Sequence, residues 1–264
     1  MRRTGLLALP LLSSVCLFLS SCVSSSIQSS QSTITPASGN WSLKLQSAVT
    51  AQTLNWGGDV SVSGSNVTMV EFDPQYGRCL DALDGPIAIT VTGGSQSSPL
   101  TLTSAAFDGG NVLKITLSGS GSPLTGTYAF AGGCQSDHGT LTATFVAPIS
   151  GTWTSSFDVN GQPVLLTANL TQATAPGAAG VIPLTGTFTV SGASCYAGGT
   201  LDSSESYVWG DTVSAGTVTT GVGVNFLVGG TLTPAANPTT LSASFWFPES
   251  VCSGATGKIQ LNKQ

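Results

Sequence analysis

The chain of 264 residues contains a single histidine, His138, so any serine-hydrolase chemistry would have to run through it. A Ser-His-Asp relay needs an imidazole to take the serine proton and a carboxylate to orient that imidazole. The surroundings, Cys134-Gln135-Ser136-Asp137-His138-Gly139, read as a polar glycine-rich turn after a strand. The matching stretch later in the chain, Cys252-Ser253-Gly254-Ala255, has no histidine. His138 is therefore expected in a surface turn. Paired carboxylates could serve a glycan hydrolase, which sets an acid and a base or nucleophile across the sugar. Asp73 and Asp81 are the residues for that reading, and with Asp84 they could also offer oxygens to calcium if their loop folded back. Their spacing departs from an EF-hand loop, so the segment is expected to be a solvated loop. No catalytic residue is assigned. No glycine-rich loop leads into a lysine in P-loop order, and no cofactor is expected.

Aromatic side chains are the other source of recognition chemistry. Trp41 and Trp153 occupy equivalent first strands, as core or as the floor of a ligand cavity. Phe245, Trp246 and Phe247 are consecutive, and strand alternation must send Trp246 to the face opposite its neighbours. Tyr207, Val208 and Trp209 pose the same problem. Trp209 and Trp246 are thus candidates for an aromatic patch that meets a glycan, a hydrophobic ligand or the other domain.

The elements that must position these residues are strands. Helical periodicity is nearly absent, and short alternating or β-branched runs cover residues 41–49, 59–63, 66–72, 87–91, 100–107, 112–117, 126–130 and 140–146. Gly, Ser, Asp, Asn or Pro bounds each run. Asp108-Gly109-Gly110-Asn111 and Asn160-Gly161 are the clearest hairpin turns, because Gly and Asn accept positive φ at little cost.

The second half repeats the plan of the first. Ser38-Gly39-Asn40-Trp41 is answered by Ser150-Gly151-Thr152-Trp153, Cys79 by Cys195 and Cys134 by Cys252, at offsets of 112, 116 and 118 residues. This order of landmarks predicts a tandem duplication joined near Pro148. The fold class expected is all-β, with two tandem antiparallel domains over residues 39–148 and 149–264. About eight strand candidates per unit suit small up-and-down barrels, whose closure removes exposed edges, with β-sandwiches as the alternative.

Residues 1–21 have the form of an export signal. Arg2 and Arg3 precede a short apolar run broken by Pro10, Ser13 and Ser14, too short for a stable span of the bilayer. Leu19-Ser20-Ser21-Cys22 resembles the lipobox of bacterial lipoproteins. The resemblance implies cleavage before Cys22, diacylglycerol on its thiol and an acylated new amino terminus, with Ser24 favouring the outer membrane. Several acyl chains are what a lasting anchor requires. Residues 22–38 lack periodicity and are expected to form a flexible tether.

With Cys16 removed and Cys22 lipidated, four cysteines remain for an oxidising compartment, and three pairings are open to them. The duplication selects Cys79–Cys134 and Cys195–Cys252. Zinc would need tight local pairs or more histidine, which these spacings do not offer.

Ile149-Ser150-Gly151-Thr152-Trp153 followed by Leu184-Thr185-Gly186-Thr187-Phe188 resembles the opening strands of streptavidin-like barrels, and Gly-x-Trp is similar to lipocalins. Both families imply an eight-stranded, calycin-like barrel. The whole chain resembles uncharacterised bacterial exported lipoproteins of the Acidobacteria type with Gly/Ser/Thr-rich tandem β units. That likeness rests on the residues before Cys22, the Gly-x-Trp pairs and the segments around Cys134 and Cys195.

Without residues 1–21, five Lys and Arg stand against twelve Asp and Glu, a net charge of −7. These five form no basic stripe to follow a phosphate backbone, so nucleic acid is not expected as a partner. The expected protein is a cell-envelope component held to the outer membrane by its N-terminal lipid. Its role would be non-enzymatic binding or structure, with a glycan, a small hydrophobic ligand or an envelope protein as partner. A carboxylate-dependent glycan hydrolase is the alternative.

Overall fold

The computed structural model describes residue 34 and residues 36–63, 66–73, 87–93, 99–106, 110–132, 136–177, 180–219, 223–233 and 235–264, without the side chains of residues 66, 70–73, 87 and 88. Cys22, Cys79, Asp81, Asp84 and Cys134 lie outside the described residues, as does the 1–21 segment.

Eight strands form the first barrel: β1 (Gly39–Ser47), β2 (Thr53–Ser63), β3 (Asn66–Asp73), β4 (Ile87–Gly93), β5 (Leu100–Ser104), β6 (Val112–Ser118), β7 (Leu124–Ala131) and β8 (His138–Phe145). Each pairs antiparallel with the next, and β8 returns to β1 to close the ring. The second barrel is built from β9 (Gly151–Val159), β10 (Gln162–Gln172), β11 (Ile182–Ser191), β12 (Gly198–Thr200), β13 (Tyr207–Trp209), β14 (Thr212–Thr219), β15 (Gly223–Thr233), β16 (Thr240–Trp246) and β17 (Thr256–Lys263). The two short strands β12 and β13 follow one another along the same edge of β11, and a bridge from Leu201 to Thr217 joins the β12 end to β14. They share one position in the ring, so this barrel also has eight, and it closes between β17 and β9.

Closure follows from the pattern of the strands. Alternation sends Leu113, Ile115 and Leu117 of β6 inward, and Leu241, Ala243 and Phe245 of β16 likewise, while the residues between them face out. Bending each sheet into a ring turns its apolar face inward, and in the first barrel the full pairing of β1 with β8 covers the edges that another chain could pair with. The Asn160-Gly161 turn between β9 and β10 has φ of 52° and 78°, the positive pair that a two-residue hairpin loop needs.

Each barrel has its own apolar core. The first takes in Ile34, upstream of β1, and the second takes in Val146 and Ile149 from the connection between barrels. These lead-in segments correspond at the 112-residue offset. Trp41 Nε1 donates to the Ala37 carbonyl (2.8 Å) and Trp153 Nε1 donates to the Ile149 carbonyl (2.9 Å). Each indole thus fills its core and ties down the chain four residues before it. Ile34 and Pro36 are buried, so the folded body takes in residues upstream of Gly39, within the stretch expected as tether.

Candidate functional site

The two barrels share a strand register but differ at the seam that closes each ring. In the first, β1 and β8 pair over seven residues, from Trp41 with Phe145 to Ser47 with Gly139. In the second, β9 and β17 pair only at Trp153 with Lys263 and Thr154 with Asn262. Those two pairs correspond to Trp41 with Phe145 and Ser42 with Thr144. Beyond them residues 155–159 of β9 part from the facing stretch of β17.

A groove of about 840 Å³ lies over this opening and extends across β16 to β15. Its rim is polar: Ser156 and Asp158 on β9, Lys258 and Gln260 on β17, Ser242 and Ser244 on β16. Lys258 Nζ donates to Ser244 Oγ at 2.7 Å. Beneath lie the rings of Phe157 and Phe245, with centroids 4.7 Å apart. Gly257 makes that contact possible, since a Cβ there would sit 2.7 Å from the Phe245 ring. Where the strands part, Ser155 is 5% exposed and its hydroxyl has no hydrogen-bond partner. Its counterpart in β1 is the fully buried Leu43, so a polar group stands here where the first barrel has an apolar one. At the far end the Asn160 side chain donates to the Cys252 carbonyl (3.3 Å), and the Cys195–Cys252 disulfide ties the loop that carries this carbonyl to the one after β11.

A second hollow of about 250 Å³ lies where the barrels touch, lined by Lys44, Asn55, Trp209, Asp211 and Thr212, and it meets the first groove at Gly230 and Thr231. The β13–β14 turn of the second barrel docks here on the outer face of β1 and β2. Asn40 Nδ2 donates to the Gly210 carbonyl and the Gly210 N–H donates to Asn40 Oδ1, both at 2.7 Å and buried. Gly57 admits the turn, because a Cβ there would lie 2.4 Å from the Gly210 nitrogen. Lys44 reaches Asp211 at 3.9 Å, but the lysine is largely exposed, so this pair adds little.

The structure separates the tryptophans singled out from sequence. Trp41 and Trp153 are core anchors, each 1% exposed. Trp209 is half-buried against Tyr207, with ring centroids 5.2 Å apart, and lines the hollow at the inter-barrel joint. Trp246 faces outward on β16 with 41% of its surface exposed, while Phe245 and Phe247 point into the core. β13 and β16 are three strand positions apart, roughly 14 Å, so Trp209 and Trp246 do not form one patch.

Near His138, a serine and an acid do meet, but as a clasp. Ser47 Oγ donates to Asp137 Oδ1 (2.7 Å) and Tyr128 Oη donates to Asp137 Oδ2 (3.1 Å). Ser47 Oγ also accepts the N–H groups of Val49 and Thr50, ordering the β1–β2 turn. The imidazole itself is exposed, at the start of β8. Burial and then the Asp137 charge push the Tyr128 hydroxyl up to about 12. Asp73 ends β3, with its side chain outside the described residues. Among the described residues no group of three His, Cys, Asp or Glu could hold a metal ion, and no helix is long and apolar enough to cross a membrane.

The groove residues Ser156, Asp158, Lys258 and Gln260, the adjoining Ser155, and the joint residues Asn40 and Gly57 carry no motif that sequence reasoning could find. Ser155 alone left a trace: it stands where the duplicated frame has Leu43. Comparison with protein-family models, curated proteins and solved structures found no match for this chain.

Proposed function

We propose that this chain is a lipid-anchored cell-envelope protein with a non-enzymatic binding role, and that its ligand surface is the outer groove of the second barrel. The observation that carries the binding role is the parted seam: a polar-rimmed groove with the rings of Phe157 and Phe245 beneath it, beside which the buried Ser155 hydroxyl faces the core without a partner. A buried hydroxyl without a partner costs stability that a leucine at the same position does not. The anchor is supported by the residues before Cys22, and a tethered body with little positive charge suits a ligand held by shape and hydrogen bonds.

Two measurements test this reading. Acyl chains should be found on Cys22 in membrane-extracted protein, and Cys22→Ala should move the protein to the soluble fraction. A panel of envelope oligosaccharides and extended peptides should include one that binds the native chain and loses binding to Ser244→Trp, which fills the groove from its outer wall. An unacylated amino terminus overturns the anchor; equal binding to the Trp variant overturns the groove.

A further inference from the structure

The parted seam leaves two strand edges facing each other, and strand geometry identifies the groups they present. Gln264 N–H donates toward β9, to the Thr152 carbonyl (2.9 Å), whereas Lys263 N–H donates the other way, to Thr239 (2.9 Å). Main-chain groups alternate sides along an antiparallel strand. Stepping by two, the N–H and C=O of Gln260 and Lys258 on β17, and of Ser156 and Asp158 on β9, point into the opening. Their first-barrel counterparts are Thr142 and Thr140 on β8 and Lys44 and Gln46 on β1, which are partners across the closed seam. An antiparallel strand is thus what meets this edge in the other barrel.

Three features narrow what could take that place in the second barrel. Rows of open N–H and C=O groups are a template for a further strand. The buried Ser155 hydroxyl, without a partner, stands where the edges diverge. Phe157 and Phe245 lie under the opening instead of beside it, so they would receive the inward side chains of a strand and offer no exposed ring for a sugar to stack on. We infer that the split seam of the second barrel is a docking site for an extended peptide, which adds to the open edges of β9 and β17. The open stretch, residues 155–159, accommodates about 17 Å of strand. Alternate peptide residues facing the two phenylalanines are small or apolar, and those facing out between Asp158 and Lys258 are polar. This assignment rests on the groove being the ligand surface and is independent of the lipid anchor.

Amide hydrogen exchange on the full chain tests it, with a synthetic peptide of the β8 sequence, residues 138–145, as probe. In the free protein the amides of Ser156, Asp158, Lys258 and Gln260 should exchange far faster than those of Lys44, Gln46, Thr140 and Thr142. Millimolar peptide should slow the first set by about tenfold or more, since exchange reports the opening of each bond. The same peptide N-methylated at alternate residues should not. Equal protection of both sets in the free chain overturns the inference, because the seam is then closed. Slowing by chitohexaose and not by the peptide overturns the peptide assignment while leaving the groove a binding surface. No slowing by either probe overturns the peptide site and the groove together.

Discussion

Asn40 and Gly210, 170 residues apart in sequence, exchange two hydrogen bonds of 2.7 Å that fasten the second barrel to the first. A side-chain amide here imitates a strand partner, offering one donor and one acceptor to a turn that would otherwise bury both of its main-chain groups unpaired. Asn40→Ala should cost about 2 kcal/mol, the penalty of stranding buried polar groups. Gly57→Ala should disturb the same contact through its clash with the Gly210 nitrogen. Denaturant unfolding of either variant should resolve into two transitions, one per barrel; a single unchanged transition refutes the joint.

Ser155→Leu restores the residue type of the first barrel at the head of the open seam. Removing an unsatisfied buried hydroxyl should stabilise the second barrel by about 1 kcal/mol or more, read as a higher denaturation midpoint. A loss of stability would mean that the hydroxyl is engaged in the unliganded protein.

Cys195 and Cys252 close a loop across a sequence separation of 57, with Cα atoms 5.2 Å apart. Replacing both with alanine should cost about 4 kcal/mol in the chain-entropy model. Because Asn160 also bonds to the Cys252 carbonyl, the double variant should loosen the far end of the groove, seen as faster exchange at the β9–β10 turn.

Alkaline pH should destabilise the first barrel through Tyr128. Its hydroxyl pKa is raised from 10.0 to about 12 in the folded state. The unfolded chain therefore loses this proton first, so the stabilisation is fully present below pH 10 and is lost as pH rises toward 12. Tyr196 and Tyr207, raised by burial, act in the same direction in the second barrel. Stability measured between pH 9 and about 12 should fall less steeply in Tyr128→Phe than in the native chain.

The tryptophans should divide by place and not by residue type. Trp246→Ala, on the outer face, should change stability by less than about 0.5 kcal/mol. Trp153→Ala, which empties a core position and frees the lead-in at Ile149, should cost about 3–5 kcal/mol. Thermal unfolding of the two variants side by side measures the contrast.

What could be read from sequence was what strands and turns write locally. Alternation marks the inward residues of β6 and β16, and the Asn160-Gly161 pair marks its hairpin. β2 was harder: the expected run starts at Asp59, yet the strand begins at Thr53. Gly57 and Gly58 look like breakers, but Gly57 lies in the strand where the Gly210 turn needs a residue without Cβ. Lys44 and Asp211 meet only because the barrels dock, and no periodicity foretells that. The parted seam is equally hidden, since it depends on how two strands more than a hundred residues apart align, and only Ser155 in place of a core leucine hinted at it.

The clasp between Trp41 and the Ala37 carbonyl has a mechanical consequence. If the chain is held at its amino terminus, tension enters the fold through Ile34 and reaches β1 at this indole. β1 is hydrogen-bonded along its length on both sides, to β2 and to β8. A pull along its axis therefore loads two rows of bonds together in shear, instead of peeling them one at a time. Forced unfolding is governed by the height of the barrier, and shear makes that barrier high. The closed seam of the first barrel is thus placed to bear load, while the open one lies in the barrel further from the hold.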